Sequence, residues 1–362
     1  MSRHKCRSLT PKEVLAMMRL GGLILSMFAV CILLTMVIVP ANTFAGPTVI
    51  KFAHVDPADV YASKKGAASR TFKDFVEAET SGNIEVQLYP AGQLGGEREL
   101  IEATKLGTLQ MCMVSGAMAG YFKPAMVLDI PYLFSSAPVA WKVLDGPFGN
   151  ELADAILEAT GMRVLAYGET GFRNFTNSKR PIQSPEDMKG LKIRVMETPL
   201  YMNMVKSLGA SPTPISWPEV YTSLQQGVVD GQENPVSVIL SNKFYEVQKY
   251  LILDRHSYGA DFILINDRFY SKLSQEQQDI LKRAAIIAGN VGRSIQQLNS
   301  AMGVSKLRER GMEVYSPTPE ERNDFKEKTQ QSVIEWMKDE INKKWIDKVM
   351  KAAEKAKSTI AQ

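Results

Sequence analysis

The sequence predicts an α/β protein of two domains, and three observations carry that expectation. The chain has 362 residues, enough for two hydrophobic cores. Its first third alternates strand and helix signals, the pattern of a parallel sheet with crossover helices. Near residue 275 a helical periodicity begins that is too long for one domain to cover.

The first strand is Val49-Ile-Lys-Phe-Ala53, followed by a polar loop from His54 to Ala62. A helix over Lys64 to Thr80 carries Phe72, Phe75 and Val76 on one face, and Ser81-Gly82-Asn83 ends it. Ile84 to Tyr89 alternates as a second strand, Gly95-Gly96 turns into a helix over Glu97 to Lys105, and Leu109 to Ser115 is a third strand. Val164 to Glu169 is a strand of the second half. Helices follow over Pro199 to Leu208, stopped by Gly209, and after Ser216, which with Glu219 forms a capping-box pattern closed by Gly227.

Ser274 and Gln277 form another capping box, and the pattern after them runs to about Arg310 before Gly311. Ile280, Leu281, Ala284, Ile287, Ala288, Val291, Ile295, Leu298, Met302 and Leu307 recur at three- and four-residue steps. Thirty-five residues at 1.5 Å make about 50 Å, so this helix is expected to lie across both domains. A last helix starts at Thr318-Pro319 and keeps an amphipathic pattern through Phe325, Val333, Trp336, Met337, Ile341, Trp345 and Ile346. The lysine- and alanine-rich end beyond it reads as frayed.

Charge is unevenly placed. Arg3, Lys5, Arg7, Lys12 and Arg19 against Glu13 give the first 45 residues a formal +4, which is the net charge of the whole chain. The body is therefore neutral and offers no clustered basic face for nucleic acid. The leader continues with an apolar run from Leu20 to Val39 and small residues at Thr43 and Ala45, an export signal cleaved before Gly46. A run of twenty apolar residues is also long enough to span a bilayer, so a retained anchor is the alternative. Cys6 and Cys31 leave with the leader, and Cys112 remains as a small buried hydrophobe; no disulfide or cysteine-bound metal is expected.

The dinucleotide, P-loop, nucleophile-elbow and H-E-x-x-H patterns are all missing. His54 follows the first strand, where loops line a ligand crevice, while His256 reads as a packed or hinge residue. Paired acids such as Glu97/Glu99 fit helix first turns, where the macrodipole favours them. Glu97 stands apart because it follows Gly95-Gly96 at a strand-to-helix turn.

The most informative stretch holds two arginines. It reads G-F-R-N-F-T-N from Gly171 to Asn177, S-P-E-D-M-K-G from Ser184 to Gly190, and L-K-I-R-V from Leu191 to Val195. Ser184 caps a short helix, Pro185 suits its first position and Gly190 ends it. Arg194 then lies on the opposite face of a strand from Leu191, Ile193 and Val195. A guanidinium there matches a carboxylate in bidentate fashion, and the alternative is a solvated side chain on an edge strand.

Six segments in order resemble the solute-binding proteins of tripartite ATP-independent periplasmic (TRAP) transporters, of the C4-dicarboxylate and sialic-acid type. They are Leu88–Arg98, Asp129–Phe134, Asp187–Val195, Leu208–Tyr221, Leu224–Pro235 and Phe244–Leu251. The resemblance implies the two-domain periplasmic binding protein fold, with a ligand cleft between domains and a long helix spanning both. It assigns residues 46–170 plus about 260–299 to domain I, 171–259 plus about 300–345 to domain II, and 346–362 to a frayed tail. It also implies capture of a small organic anion, delivery to a membrane permease driven by ions, no enzymatic step and no cofactor. A periplasmic monomer is expected.

The resemblance makes Arg194 the carboxylate clamp, Arg173 a second contact at a strand exit, Asn234 a donor to the same carboxylate, and Trp217 the aromatic cover. Ser115 stands where sialic-acid binders have an acid, which tells against that ligand, and Trp217 shrinks the cavity relative to phenylalanine. A smaller organic or sugar acid is expected, with Glu97 accepting from ligand hydroxyls and His54 in the crevice. A small sulfonate, or a ligand-presenting sensory role, is the alternative.

Overall fold

Residues 10–18 and 46–360 are described by the structure, a computed structural model. A short exposed helix occupies residues 11–18. The apolar leader segment and its cleavage site up to Ala45 lie outside the described residues. Among those residues no helix is long and apolar enough to cross a membrane.

In chain order the body contains β1 (Thr48–His54), α1 (Lys64–Glu79), β2 (Ile84–Tyr89), α2 (Glu97–Leu106), β3 (Met111–Val114), α3 (Ala137–Leu144), α4 (Pro147–Thr160) and β4 (Met162–Asn177). There follow β5 (Lys192–Val195), α5 (Pro199–Ser207), β6 (Ser211–Pro214), α6 (Val220–Gln225), β7 (Gly231–Asn234), α7 (Val236–Ser241), β8 (Tyr250–Ile252) and β9 (Ser257–Asn266). The chain ends with α8 (Asp267–Tyr270), α9 (Gln275–Glu309), β10 (Glu313–Tyr315), α10 (Pro319–Glu340) and α11 (Lys343–Ile360).

The sheet order is β2-β1-β3-β9-β4-β7-β5-β6, with β8 pairing both β4 and β10. Two parallel sets, β2-β1-β3 and β7-β5-β6, are joined by the antiparallel pair β4/β9. The parallel grammar therefore holds within each half, but not through the middle. β4 is the joining strand. It pairs β9 from Met162 to Arg173 and β7 from Asn174 to Asn177, with irregularities between Val164 and Ala166 and between Glu169 and Gly171. The sequence signal for β4 faded at Glu169 because Thr170 and Gly171 interrupt the apolar run. The strand continues regardless, because both neighbours supply ladder partners, and this places Arg173 inside a strand rather than at its exit.

One hydrophobic core includes Phe52, Phe72, Val86, Ile263 and Leu281, and another Val220, Leu224, Ile239, Phe244 and Leu307. α9 begins at the expected box, Ser274 with Gln277, and runs for 35 residues. It serves both halves through small residues. A Cβ at Gly292 would lie 3.1 Å from the Lys64 carbonyl of α1, and one at Gly303 would meet Val236 of α7 at 2.5 Å. Side chains there would push the helix off one half or the other.

Two expected caps turn out differently. Ser216 makes no side-chain capping bond; a 3₁₀ turn over Trp217–Glu219 leads into α6 instead. The last amphipathic pattern is broken at Ile341, whose backbone is extended, and Asn342 Oδ1 accepts from the Lys344 amide to start α11. That helix is not frayed. Ile346, Val349, Ala353 and Ala356 are all buried, and Trp345 packs edge-to-face on Phe122 and Phe148 at 6.1 and 6.2 Å. Its small alanines, which read as a weak end, are what allow close packing on the body. Trp345→Ala should lower stability by about 3 kcal/mol, the low end for truncating a packed aromatic, as read by denaturant midpoint; a frayed tail would give no change.

Candidate functional site

β5 is flanked by β6 and β7 on its two sides, so its backbone is fixed by ladders. Ile193 and Val195 point into the core, and Arg194 projects from the opposite face into a cleft. The side chain is 2% exposed, so the solvated alternative does not describe it. Its Nε and Nη2 both donate to the Ile215 carbonyl, at 2.9 and 2.7 Å. Nη1 is buried with no partner. No carboxylate pairs with this guanidinium among the described residues, and burial pulls its pKa down to about 10. The Trp217 ring lies 5.7 Å away as a cation–π partner. A buried, half-satisfied guanidinium is costly without an anion to meet it.

Arg173 is built differently. It is 1% exposed, and its fork is committed to Glu233: Nε and Nη2 donate to the carboxylate, and Nη2 also donates to the Glu233 carbonyl at 2.7 Å. The Tyr201 ring lies 5.4 Å from the guanidinium. Burial alone would lower the Arg173 pKa, but the Glu233 charge and hydrogen bonds more than offset it and hold it above the ordinary range. Asn234, the next residue of β7, donates its amide to Gln232 Oε1 at 2.6 Å and borders the same cleft.

The facing wall comes from the ends of β1 and β3 and the starts of α1 and α2. Glu97 accepts from Lys65 Nζ at 2.7 Å and from the Ser115 amide and hydroxyl, both at 3.0 Å. Lys65 also meets Asp261 at 3.3 Å, and Lys64 donates to Asp56 at 2.7 Å. Burial would raise the Asp56 pKa, yet the Lys64 and Lys65 charges bring it down to about 2. The two walls touch at the cleft mouth, where Arg98 Nη1 lies 3.2 Å from Glu197.

Between the walls lies a cleft with about 530 Å³ of empty space, part of it open to solvent. Arg194, Arg173, Asn234, Trp217, Glu97 and Ser115 all line it. His54 does not. It is fully buried beneath α1, with Nε2 on Ser69 Oγ at 3.0 Å, and burial drops its pKa to about 4. Its position at the end of β1 was read correctly, but the ring turns toward the helix that covers the sheet. His256 is packed, as expected.

The DctP family, described as bacterial extracellular solute-binding protein, family 7, matches residues 52–340. The chain belongs to that family. Its members are binding proteins rather than enzymes. The 2,3-diketo-L-gulonate-binding periplasmic protein of Escherichia coli K12 is 38% identical over 248 residues, 68% of this chain and 75% of that one. The sugar acid binding protein of Advenella mimigardefordensis, solved with galactonate, superposes with a TM-score of 0.82 at 35% identity, covering 86% of this chain and 99% of that one. A TRAP periplasmic solute-binding protein of Polaromonas sp. JS666, bound to D-erythronate, gives 0.79 at 36%, covering 84% and 98%. The two-domain TRAP binding-protein fold follows, with the cleft between its lobes and α9 behind both.

Within this DctP-family chain, sequence reasoning missed Lys64, Lys65, Asp56 and Glu233. One signal was available. Two lysines in the first turn of α1 oppose the helix macrodipole, which favours anions there, so buried carboxylate partners were called for. Glu233 was hidden because its partners lie 60 residues before it and 23 residues after it in the chain.

Behind Glu233 stands His256, whose Nε2 lies 3.3 Å from Glu233 and whose Nδ1 lies 2.8 Å from Asp254, with Phe175 stacked at 4.1 Å. Burial alone would lower the His256 pKa, but Asp254 and then Glu233 bring it up to about 9. An unfolded histidine titrates near 6.5, so the folded state holds this proton more tightly. The stabilisation is complete below about pH 6.5 and is lost as pH climbs through 9, amounting to on the order of 3 kcal/mol. Stability measured from pH 7 to 9.5 should therefore fall, and His256→Gln should flatten that slope.

Proposed function

We propose that this DctP-family protein captures a small organic acid by its carboxylate and hands it unchanged to the membrane permease of a TRAP transporter. Arg194 is the clamp, Arg173 presents its remaining nitrogen, Asn234 borders the same anion and Trp217 covers it. The observation that carries this reading is the buried Arg194 guanidinium, facing the cleft with Nη1 unpartnered and no carboxylate paired with it among the described residues. A relative named for binding 2,3-diketo-L-gulonate, and neighbours solved with galactonate or D-erythronate, support a small organic acid as the class.

The remaining expectations join this proposal. The leader up to residue 45 exports the chain to the periplasm. Residues 46–170 with about 260–299 form one lobe, and 171–259 with about 300–345 the other. A bound anion holds the lobes together, because groups on both sides meet it. A thermal-shift panel of small carboxylates tests the capture claim. A ligand at 100 times its Kd stabilises by about 2.7 kcal/mol. An absence of stabilisation across the panel contradicts the reading.

A further inference from the structure

The two walls of the cleft differ in charge. On the β5 and β7 side, among the described residues, Arg194 is paired with no carboxylate and Arg173 with one. On the β1 and β3 side each cation is already matched or overmatched. Lys64 is paired with Asp56, and Lys65 is shared by Glu97 at 2.7 Å and Asp261 at 3.3 Å. That wall is therefore neutral to acidic; Lys64, Lys65 and Asp261 are nearly closed off from solvent, while the Asp56 and Glu97 side chains each keep 11% exposure.

Its unused hydrogen-bonding capacity is that of a hydroxyl reader. Asp56 accepts from Lys64 through Oδ2, while Oδ1 has no protein partner among the described residues. Lys64 Nζ carries three N–H donors and spends one on Asp56. An acceptor and a donor thus sit side by side, which a hydroxyl satisfies at once because it both donates and accepts. A carboxylate there accepts only, and it would meet two buried like charges, Asp56 and Glu97, with no unpaired cation to neutralise it.

We propose that the Asp56–Lys64 pair, with Glu97 and Ser115 beside it, selects a singly charged hydroxylated acid and turns away a second carboxylate. This rests on Arg194 holding the one carboxylate. Specificity here is a difference between affinities, built from an attractive hydroxyl contact and a repulsive contact with the diacid.

Calorimetry on the purified protein with acids matched in carbon number tests it: D-erythronate against succinate at four carbons, galactonate against galactarate at six. The monoacid should bind at least tenfold more tightly in a matched pair, and no diacid should outbind its partner. Asp56→Asn, checked for an intact melting transition, should narrow that gap to within about threefold, since the like charge and the strong acceptor go together. The wild-type panel decides the matter if that variant does not fold. A diacid bound as tightly as its matched monoacid, no monoacid bound at all, or an unchanged gap in a folded Asp56→Asn overturns the inference. Arg194→Ala separates the two readings. Loss of all binding with the diacid preferred in the wild type leaves the clamp standing and removes the hydroxyl reader, whereas unaltered binding in Arg194→Ala removes the clamp itself.

Discussion

Arg194→Ala is expected to weaken binding of the acid by about 30-fold to several thousand-fold. The bound carboxylate would sit among buried groups of the cleft with its principal cation gone, and removing one partner of a desolvated charge pair costs about 2–5 kcal/mol. Arg194→Lys should also bind poorly, because an ammonium cannot offer the planar fork of which two nitrogens already hold the Ile215 carbonyl. Stability should change little or rise, since the free protein keeps a buried cation with one nitrogen unsatisfied. Loss of affinity without loss of melting temperature is what distinguishes a ligand clamp from a structural arginine.

Glu233→Leu should do the reverse and strike stability first. Glu233 is fully buried, takes the fork of Arg173 and lies 3.3 Å from the protonated His256. Without it, Arg173 would keep no carboxylate partner among the described residues, and His256 would keep only Asp254. Breaking a buried pair by removing one partner costs about 3–5 kcal/mol. For a body of this size that lowers the melting temperature by on the order of 10 °C. Differential scanning calorimetry of Glu233→Leu and Glu233→Gln checks it. A shift within a degree in both would mean that the network carries no net stability.

These two expectations show what the sequence could and could not reveal. Arg194 was legible because alternation in L-K-I-R-V settles which face it takes, and a short strand cannot hide that choice. α9 was legible down to its capping box, since both the cap and the periodicity are local. Six of the seven residues expected in the cleft line it. Arg173 was misplaced because β4 is sustained by pairing with β9 and β7, partners far away in sequence, rather than by its own pattern. Its truncation is still expected to cost less affinity than that of Arg194. The reason is now its commitment to Glu233, not exposure. His54 failed for a similar reason: the end of a strand fixes where a residue sits, while the turn of its side chain depends on what packs above it. The two lysines opening α1 signal a need for buried carboxylates, but which acids meet them is not written locally, and Glu233 pairs with Arg173 across 60 residues, which no local pattern announces.

A structure of the complex, with a bound hydroxy acid such as D-erythronate, decides whether Arg194 is the carboxylate clamp. A carboxylate oxygen should lie about 3 Å from Arg194 Nη1, with Trp217 over the ligand and its hydroxyls turned toward Asp56, Lys64 and Glu97. A ligand whose carboxylate lies on the Lys64 and Lys65 wall, leaving Arg194 Nη1 without a partner, would contradict it.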